Sequence, residues 1–112
     1  MDKLKLKLTH MDALLFVNRL EDTICIDGIK QETKMQKLFA FLWLETFIKM
    51  KAKTTFVYQG AKSFSLSFPQ AMAFEQLLQK WHKADEEKND EATIYRRTLY
   101  LSTISFIDQK TA

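Results

Sequence analysis

The sequence predicts one α+β domain: a small antiparallel sheet of about three strands, with four helices packed on one face of the sheet. Two observations carry this prediction. Short segments alternate apolar and polar residues, as in half-buried strands, and longer segments carry apolar residues at helical spacing. The chain has 112 residues, of which 46% are hydrophobic, with two glycines and one proline. This length and composition favour a single packed domain over residues 1–112.

The N-terminal part of the chain predicts a strand followed by a helix. Leucines alternate with lysines over residues 3–8, which is the pattern of a strand with one buried and one exposed face. Thr9 can cap the following helix, and Asp12 suits the positive end of its first turn. We therefore expect the first helix over residues 10–21, followed by a brief extended segment at residues 23–26.

The segment 31–50 predicts the longest helix. Its apolar residues form three lines along the helix, so most of its circumference is apolar and must be covered on more than one side. Either the sheet and the other helices cover it completely, or another chain covers part of it. The three lines are Met35, Leu38, Leu42; Ala40, Trp43, Phe47, Met50; and Phe41, Leu44, Ile48. Aromatic residues and methionine are enriched at interface centres, so the second line predicts a protein interface.

Two further strands are expected after this helix. Residues 54–58 and 63–68 predict strands joined by a turn in which Gly60 can take a positive φ. Serines alternate with apolar residues in the second of these strands. We therefore expect the serine row to share the exposed sheet face with the lysines of residues 3–8.

The C-terminal part of the chain predicts two helices. Pro69 suits the start of a helix whose apolar stripe ends at Trp81 and which reaches about residue 83. A last helix is expected to begin at residue 90 or 91 and to reach about residue 109. The β-branched residues within 93–107 would also suit a strand, and the length of the segment favours the helix.

An internal repeat is also suggested by the pattern. When the chain is offset by 60 residues, the apolar positions of the first strand and helix match those of residues 63–68 and the helix that follows. This match predicts two pseudo-equivalent halves, each with the order strand, helix, helix, and with residues 53–58 as an added strand.

The sequence does not show the patterns of exported or membrane proteins. It begins without the apolar core of a secretory signal, and the longest apolar run, residues 38–44, is far shorter than the roughly 20 residues needed to cross a bilayer. The single Cys25 lies between two isoleucines, as a small buried residue would. We expect a cytoplasmic protein with an inert core cysteine and no membrane contact.

Patterns of catalytic, cofactor and metal sites are also missing from the sequence. The only two glycines are far apart, so no phosphate-binding loop is indicated. His10, Cys25 and His82 lack the close spacing of metal ligands. The acidic residues within 85–91 suit a solvated loop better than a catalytic pair. We therefore expect no enzymatic activity, no cofactor, no metal and no small-molecule ligand.

Two functions remain. The preferred hypothesis is a non-enzymatic protein-interaction or structural accessory domain, in which the helix 31–50 forms a homodimer or binds another protein. The alternative is weak, sequence-independent nucleic-acid binding, because lysines on one sheet face can neutralise phosphates. The same lysines would also suit a solvated face that discourages edge-to-edge association. The residues of the alternative are Lys3, Lys5, Lys7, Arg96 and Arg97.

Overall fold

The computed structural model describes residues 3–26 and 32–111. In chain order, the elements of these ranges are β1 (Leu4–Thr9), α1 (His10–Ile26), α2 (Lys34–Thr54), β2 (Ala61–Leu66), α3 (Phe68–Ala84) and α4 (Glu91–Thr111). The fold is α+β, and the four helices of the described ranges confirm the predicted helices. The sheet has two antiparallel strands there, so the expectation of about three strands is not met.

The two strands pair in a register that places all the strand leucines on the same side. Leu6 lies opposite Phe64, and these side chains are buried together with the other apolar residues of the two strands. Lys5 lies opposite Ser65 and Lys7 lies opposite Ser63, so the lysine and serine rows share the other sheet face, as the sequence predicts. One face of the sheet therefore meets the helices and the other carries polar side chains.

The predicted strand at residues 54–58 is not formed. Thr54 is the last residue of α2, and its hydroxyl donates to the carbonyl oxygen of Met50 at 3.0 Å, within the last helical turn. Phe56 and Val57 follow as exposed residues outside any strand. Side chains of Lys49 and Lys53 from α2 hydrogen-bond to the backbone of β2, at the edge that a hairpin strand from these residues would occupy.

Helix α1 is longer than the sequence predicts. It begins at His10 as expected, with the Thr9 hydroxyl accepting from the backbone N–H of Asp12 at 3.3 Å. The expected extended segment at residues 23–26 is wrong, because α1 continues to Ile26. The helical path leaves Cys25 exposed, which corrects its expected place in the core.

Helix α2 begins later and ends later than the predicted range 31–50. Thr33 and Gln36 form a capping box, in which the Gln36 N–H donates to the Thr33 hydroxyl at 3.1 Å, so the helix begins at Lys34. The end of the helix is held by His10, whose Nε2 lies 3.1 Å from the carbonyl oxygen of Thr54. Gln31, at the predicted start, lies outside the described residues.

The last two helices follow the sequence closely. Ser67 caps α3 through a second capping box with Gln70, and Pro69 occupies the second helical position, where its missing N–H costs nothing. Residues 93–107 lie within α4, which confirms the helix over the strand. The Asp90 carboxylate accepts from the Thr93 N–H at 3.1 Å and satisfies one free donor of the first turn.

The core joins all four helices to the leucine face of the sheet. Phe16 of α1 meets Phe74 of α3 edge to face, with ring centroids 5.1 Å apart, and Trp81 meets Tyr100 of α4 at 5.7 Å. Each half of the described chain has a six-residue strand, a helix of 17 residues and a helix of 21 residues, in that order. The internal symmetry itself stays a prediction.

Candidate interaction surfaces

The side of α2 that the sequence assigns to an interface faces the core of the protomer. Trp43 is 7% exposed, and its Nε1 donates to the carbonyl oxygen of Ala73 in α3 at 3.3 Å. Met50 is fully buried, while Ala40 and Phe47 are partly buried against the same core. Trp43 and Met50 therefore do not form a free surface, because this side of α2 packs against α1 and α3.

A different line of apolar residues on α2 is exposed. Phe41 is 56% exposed and Ile48 is 57% exposed, with Leu38 and Leu44 also open to solvent. We call these four residues the α2 outer face. The spacings of three and four residues place them in one row along the helix. The sequence already separates Phe41, Leu44 and Ile48 as one apolar line but cannot show that this line, and not the one with Trp43, faces solvent.

The outer face of the sheet is basic. Lys3, Lys5 and Lys7 are exposed there, as the sequence predicts. Two lysines of α2 reach the outer edge of β2: Lys49 Nζ donates to the Ser65 carbonyl oxygen at 3.2 Å and Lys53 Nζ donates to the carbonyl oxygen of Ser63. We call these five lysines the basic face.

The pKa of Lys49 is lowered by its position at the edge of the basic face. Burial lowers its pKa, and the positive charge of Lys3 lowers this pKa further, while Glu45 opposes both effects. Lys49 also donates to the Gln70 side chain at 2.7 Å. The two α2 lysines join this face only because α2 runs beside β2, so the strand pattern alone could not identify them.

The two arginines of the nucleic-acid hypothesis are not joined to this face by any contact of the described residues. Arg96 Nε lies 3.8 Å from Oδ2 of Asp85, a carboxylate buried between the helices, and its Nη2 donates to the Thr93 hydroxyl at 2.9 Å. Arg19 of α1 lies 3.6 Å from the same Asp85 oxygen. Arg97, the neighbour of Arg96 on α4, is half-buried. Arg96 thus belongs to a cluster of charged side chains between the helices, with Asp85 and Arg19.

A groove of about 840 Å³ lies along β1 on the side away from β2. Lysines and leucines of β1 form one wall, and α4 forms the opposite wall with Leu99 and Phe106. Phe68 of α3 and Lys110 near the end of α4 also line the groove. A second cavity, of about 180 Å³, lies between α2 and α3 beside the edge of Trp43. The larger groove is long enough to follow the whole strand.

Two carboxyl groups interact across α3 and α4. Burial raises the pKa of Glu75 to about 7, and a hydrogen bond with Asp108 and the repulsion between the two carboxyl groups add to this rise. Neither residue lines the groove beside β1. The residues are 33 positions apart in sequence, so no local pattern could indicate the pair.

Two general features of the described ranges bear on function. Within residues 3–26 and 32–111, no group of three His, Cys, Asp or Glu side chains could hold a metal ion. The helices of those ranges are too short or too polar to cross a membrane.

A scan against models of protein families, a search of curated proteins and a search of solved structures each found no match to this chain. Function is therefore inferred from three surfaces: the α2 outer face, the basic face and the groove beside β1.

Proposed function

We propose that this chain is a non-enzymatic protein-interaction domain that self-associates through the α2 outer face. The observation that carries this proposal is the exposed apolar row on α2, in which Phe41 and Ile48 each leave more than half of their surface in contact with water. Contiguous apolar patches on a small domain mark contact sites more often than isolated apolar residues do. The proposed contact lies on α2, the helix that the sequence predicts as the interface, but it uses the α2 outer face and not the side that carries Trp43.

The spacing of the row suits a twofold contact. Phe41 lies about 4.5 Å before Leu44 along the helix axis and Ile48 lies about 6 Å after it, from the helical rise of about 1.5 Å per residue. Two copies of α2 in antiparallel orientation would place Phe41 of one protomer against Ile48 of the other, with Leu44 near the axis. A twofold contact uses the same patch on both copies, so this row alone would form it.

The expected strength follows from the apolar area. Eight half-exposed side chains, four from each protomer, would contribute about 1 kcal/mol each on burial. Association costs about 4–15 kcal/mol in lost freedom of motion. The gain exceeds the lowest estimate of this cost by about 4 kcal/mol, so we expect a weak dimer that dissociates on dilution, with a Kd of roughly millimolar order.

Light scattering over a range of protein concentrations tests this proposal. The wild-type mass should rise from monomer to dimer, whereas the Phe41→Gln, Ile48→Gln variant should stay monomeric with an unchanged circular dichroism spectrum. Glutamine is chosen because it is a good helix former. The matched control is Ile94→Gln, Leu101→Gln, which changes two exposed apolar residues of α4 and should dimerise as the wild type does. A wild type that stays monomeric at every concentration would remove the proposal.

The basic face supports a second candidate function, sequence-independent binding of nucleic acid. The specific observation is that Lys49 and Lys53 of α2 extend the lysine row of β1. Five lysines beside one another can release counterions from a phosphate backbone. Arg96 does not contribute to this candidate, because Asp85 holds it in the helical layer.

Fluorescence anisotropy with random single-stranded and double-stranded oligonucleotides tests this candidate. Binding should weaken steeply as salt rises, and the Lys5→Gln, Lys7→Gln variant should bind less tightly with a shallower salt dependence. Lys80→Gln, Lys83→Gln on α3 is the control with the same loss of charge at exposed positions. No binding at low salt would exclude the candidate.

A further inference from the structure

The direction of the backbone groups in β2 identifies the free groups of β1. In an antiparallel pair, successive residues alternate between those whose N–H and C=O face the partner strand and those whose groups face away. The carbonyl oxygens of Ser63 and Ser65 accept from lysines of α2, so these groups face away from β1. Their partners in the register are Lys7 and Lys5. The N–H and C=O groups of Lys5 and Lys7 therefore face the outer edge of β1.

The two edges of the sheet differ in what covers them. Side chains of Lys49 and Lys53 hydrogen-bond to the β2 edge. Among the described residues, no group of a helix or loop hydrogen-bonds to the backbone of Lys5 or Lys7. The groove beside β1 separates this edge from α4. An open strand edge with unpaired donors and acceptors is a template for another strand.

The groove has the length and lining that an extended chain requires. Six strand residues span about 20 Å, and the 21-residue α4 is longer still. Leu99 and Phe106 are partly buried on the α4 wall and would face side chains that point to the leucine side of β1. Lys5 and Lys7 point to the opposite side, onto the basic face. A strand added here would thus meet an apolar wall on one face and lysines on the other.

We propose that the groove binds an extended partner peptide in which apolar and acidic residues alternate, and that this peptide adds to β1 as a third strand. Residues directly opposite on neighbouring strands carry side chains on the same face, so the residues paired with Lys5 and Lys7 would be acidic. The residues between them would be apolar and would pack against Leu99 and Phe106. Backbone hydrogen bonds supply affinity and the alternation supplies specificity.

Charge selects this partner over a second copy of the chain. If two β1 strands paired through their outer edges, the outward groups of Lys5 and Lys7 would pair with those of the same two residues in the other copy. Lysine would then lie opposite lysine in every register, which destabilises the pair. Lysines on an edge strand are a known device against self-pairing. The same lysines attract an acidic strand.

Anisotropy with a labelled peptide of about eight residues, valine alternating with glutamate, tests this proposal. The wild-type protein should bind it at least tenfold more tightly than a peptide of the same composition with the alternation scrambled. Methylating alternate amide nitrogens of the peptide should also weaken binding about tenfold, because it removes donors to the strand edge. Equal binding of the alternating and scrambled peptides would show attraction by charge alone and would overturn the proposal, as would an unaffected methylated peptide.

A charge exchange provides the second test. The Lys5→Glu, Lys7→Glu variant should lose affinity for the glutamate peptide and gain affinity for a peptide in which valine alternates with lysine. Thermal melting confirms that the variant is folded. Failure of this exchange in a folded variant would contradict the proposed pairing. A wild-type dimer that dissociates in the Lys5→Glu, Lys7→Glu variant would instead place a second copy at the edge, and would also overturn the proposal.

This inference can fail or succeed independently of the proposed self-association. The α2 outer face lies on a different element from the groove, so the Phe41→Gln, Ile48→Gln variant should become monomeric and keep its affinity for the alternating peptide. Peptide binding without dimerisation would retain the inference and remove the proposed homodimer. Dimerisation without peptide binding would retain the proposed homodimer and remove the inference about the groove.

Discussion

Glu75 and Asp108 are expected to make the free energy of unfolding depend on pH. The pKa of Glu75 is raised from its ordinary value of 4.5 to about 7 by burial and by the neighbouring carboxyl group. The folded state therefore keeps a proton between about pH 4.5 and pH 7 that the unfolded state releases, and the free energy of unfolding falls as pH rises through that interval.

We expect Glu75→Gln to remove this dependence. Glutamine keeps the hydrogen bond to Asp108 and carries no charge, so the variant should be about 1 kcal/mol more stable than the wild type at pH 8, after allowance for solvent screening, and close to it at pH 4. Urea unfolding at the two pH values measures the difference. Glu87→Gln, at an exposed loop position, is the control. Equal stabilisation at both pH values would contradict the raised pKa of Glu75 as the source of the pH dependence.

Asp85 is the buried charge on which the packing of α1, α3 and α4 depends. Its carboxylate is 1% exposed and lies within 3.8 Å of charged atoms of Arg19, Lys88 and Arg96. Removing one member of a buried charge cluster leaves the other charges without compensation. Both arginines keep some access to water, which reduces the penalty.

We therefore expect Asp85→Ala to lower the free energy of unfolding by about 2–3 kcal/mol, which is less than for a fully buried pair. Chemical denaturation of the variant checks this value. Glu86→Ala, at the next and exposed position, should change stability by less than about 0.5 kcal/mol. Similar losses for the two variants would show that Asp85 is not the centre of the cluster.

At the scale of elements, helix starts depend on side-chain caps. Ser67 caps α3 and its hydroxyl accepts from the Gln70 N–H. Ser67→Ala should cost about 1 kcal/mol of unfolding free energy. Ser65→Ala, two residues earlier on the outer sheet face, should cost less because its side chain caps no helix. Thermal unfolding of the two variants compares them, and a larger loss for Ser65→Ala would reverse this assignment.

Strands and helices could be predicted from the sequence where one pattern dominated. The lysine–leucine alternation identified β1, and the stripe after Pro69 identified α3. The predicted strand at residues 54–58 failed because Thr54 completes a helical turn by bonding to Met50, and Phe56 and Val57 after it remain exposed. Local β propensity does not show whether an edge is available for pairing.

The α2 outer face could be predicted only in part, because the sequence does not show which side of the helix is covered by the rest of the fold. The sequence shows that α2 is apolar on several sides, and the structure shows which side the core uses. Trp43 faces the core because its indole N–H reaches Ala73 of α3, a contact 30 residues away in sequence. Phe41 and Ile48 lie on an apolar line with the same helical spacing as the line that contains Trp43, and the two lines are similarly hydrophobic. Only the packing of the other helices distinguishes the two sides.

At the scale of the whole molecule, two surfaces on different elements would serve different partners. The α2 outer face would join two copies, and the β1 edge would take an extended acidic segment from elsewhere. A dimer would then present two grooves, so a partner with two such segments would bind more tightly than either segment alone.

Cysteine cross-linking at the centre of the α2 outer face tests the central claim most directly. In a Cys25→Ser background, Leu44→Cys places one thiol near the proposed twofold axis, where two copies would bring their thiols together. Mild oxidation should convert this variant to a covalent dimer at concentrations where the wild type dimerises, whereas Leu101→Cys on α4 should form no covalent dimer because its thiols lie far from the proposed contact. Equal or absent cross-linking of the two folded variants would contradict self-association through α2.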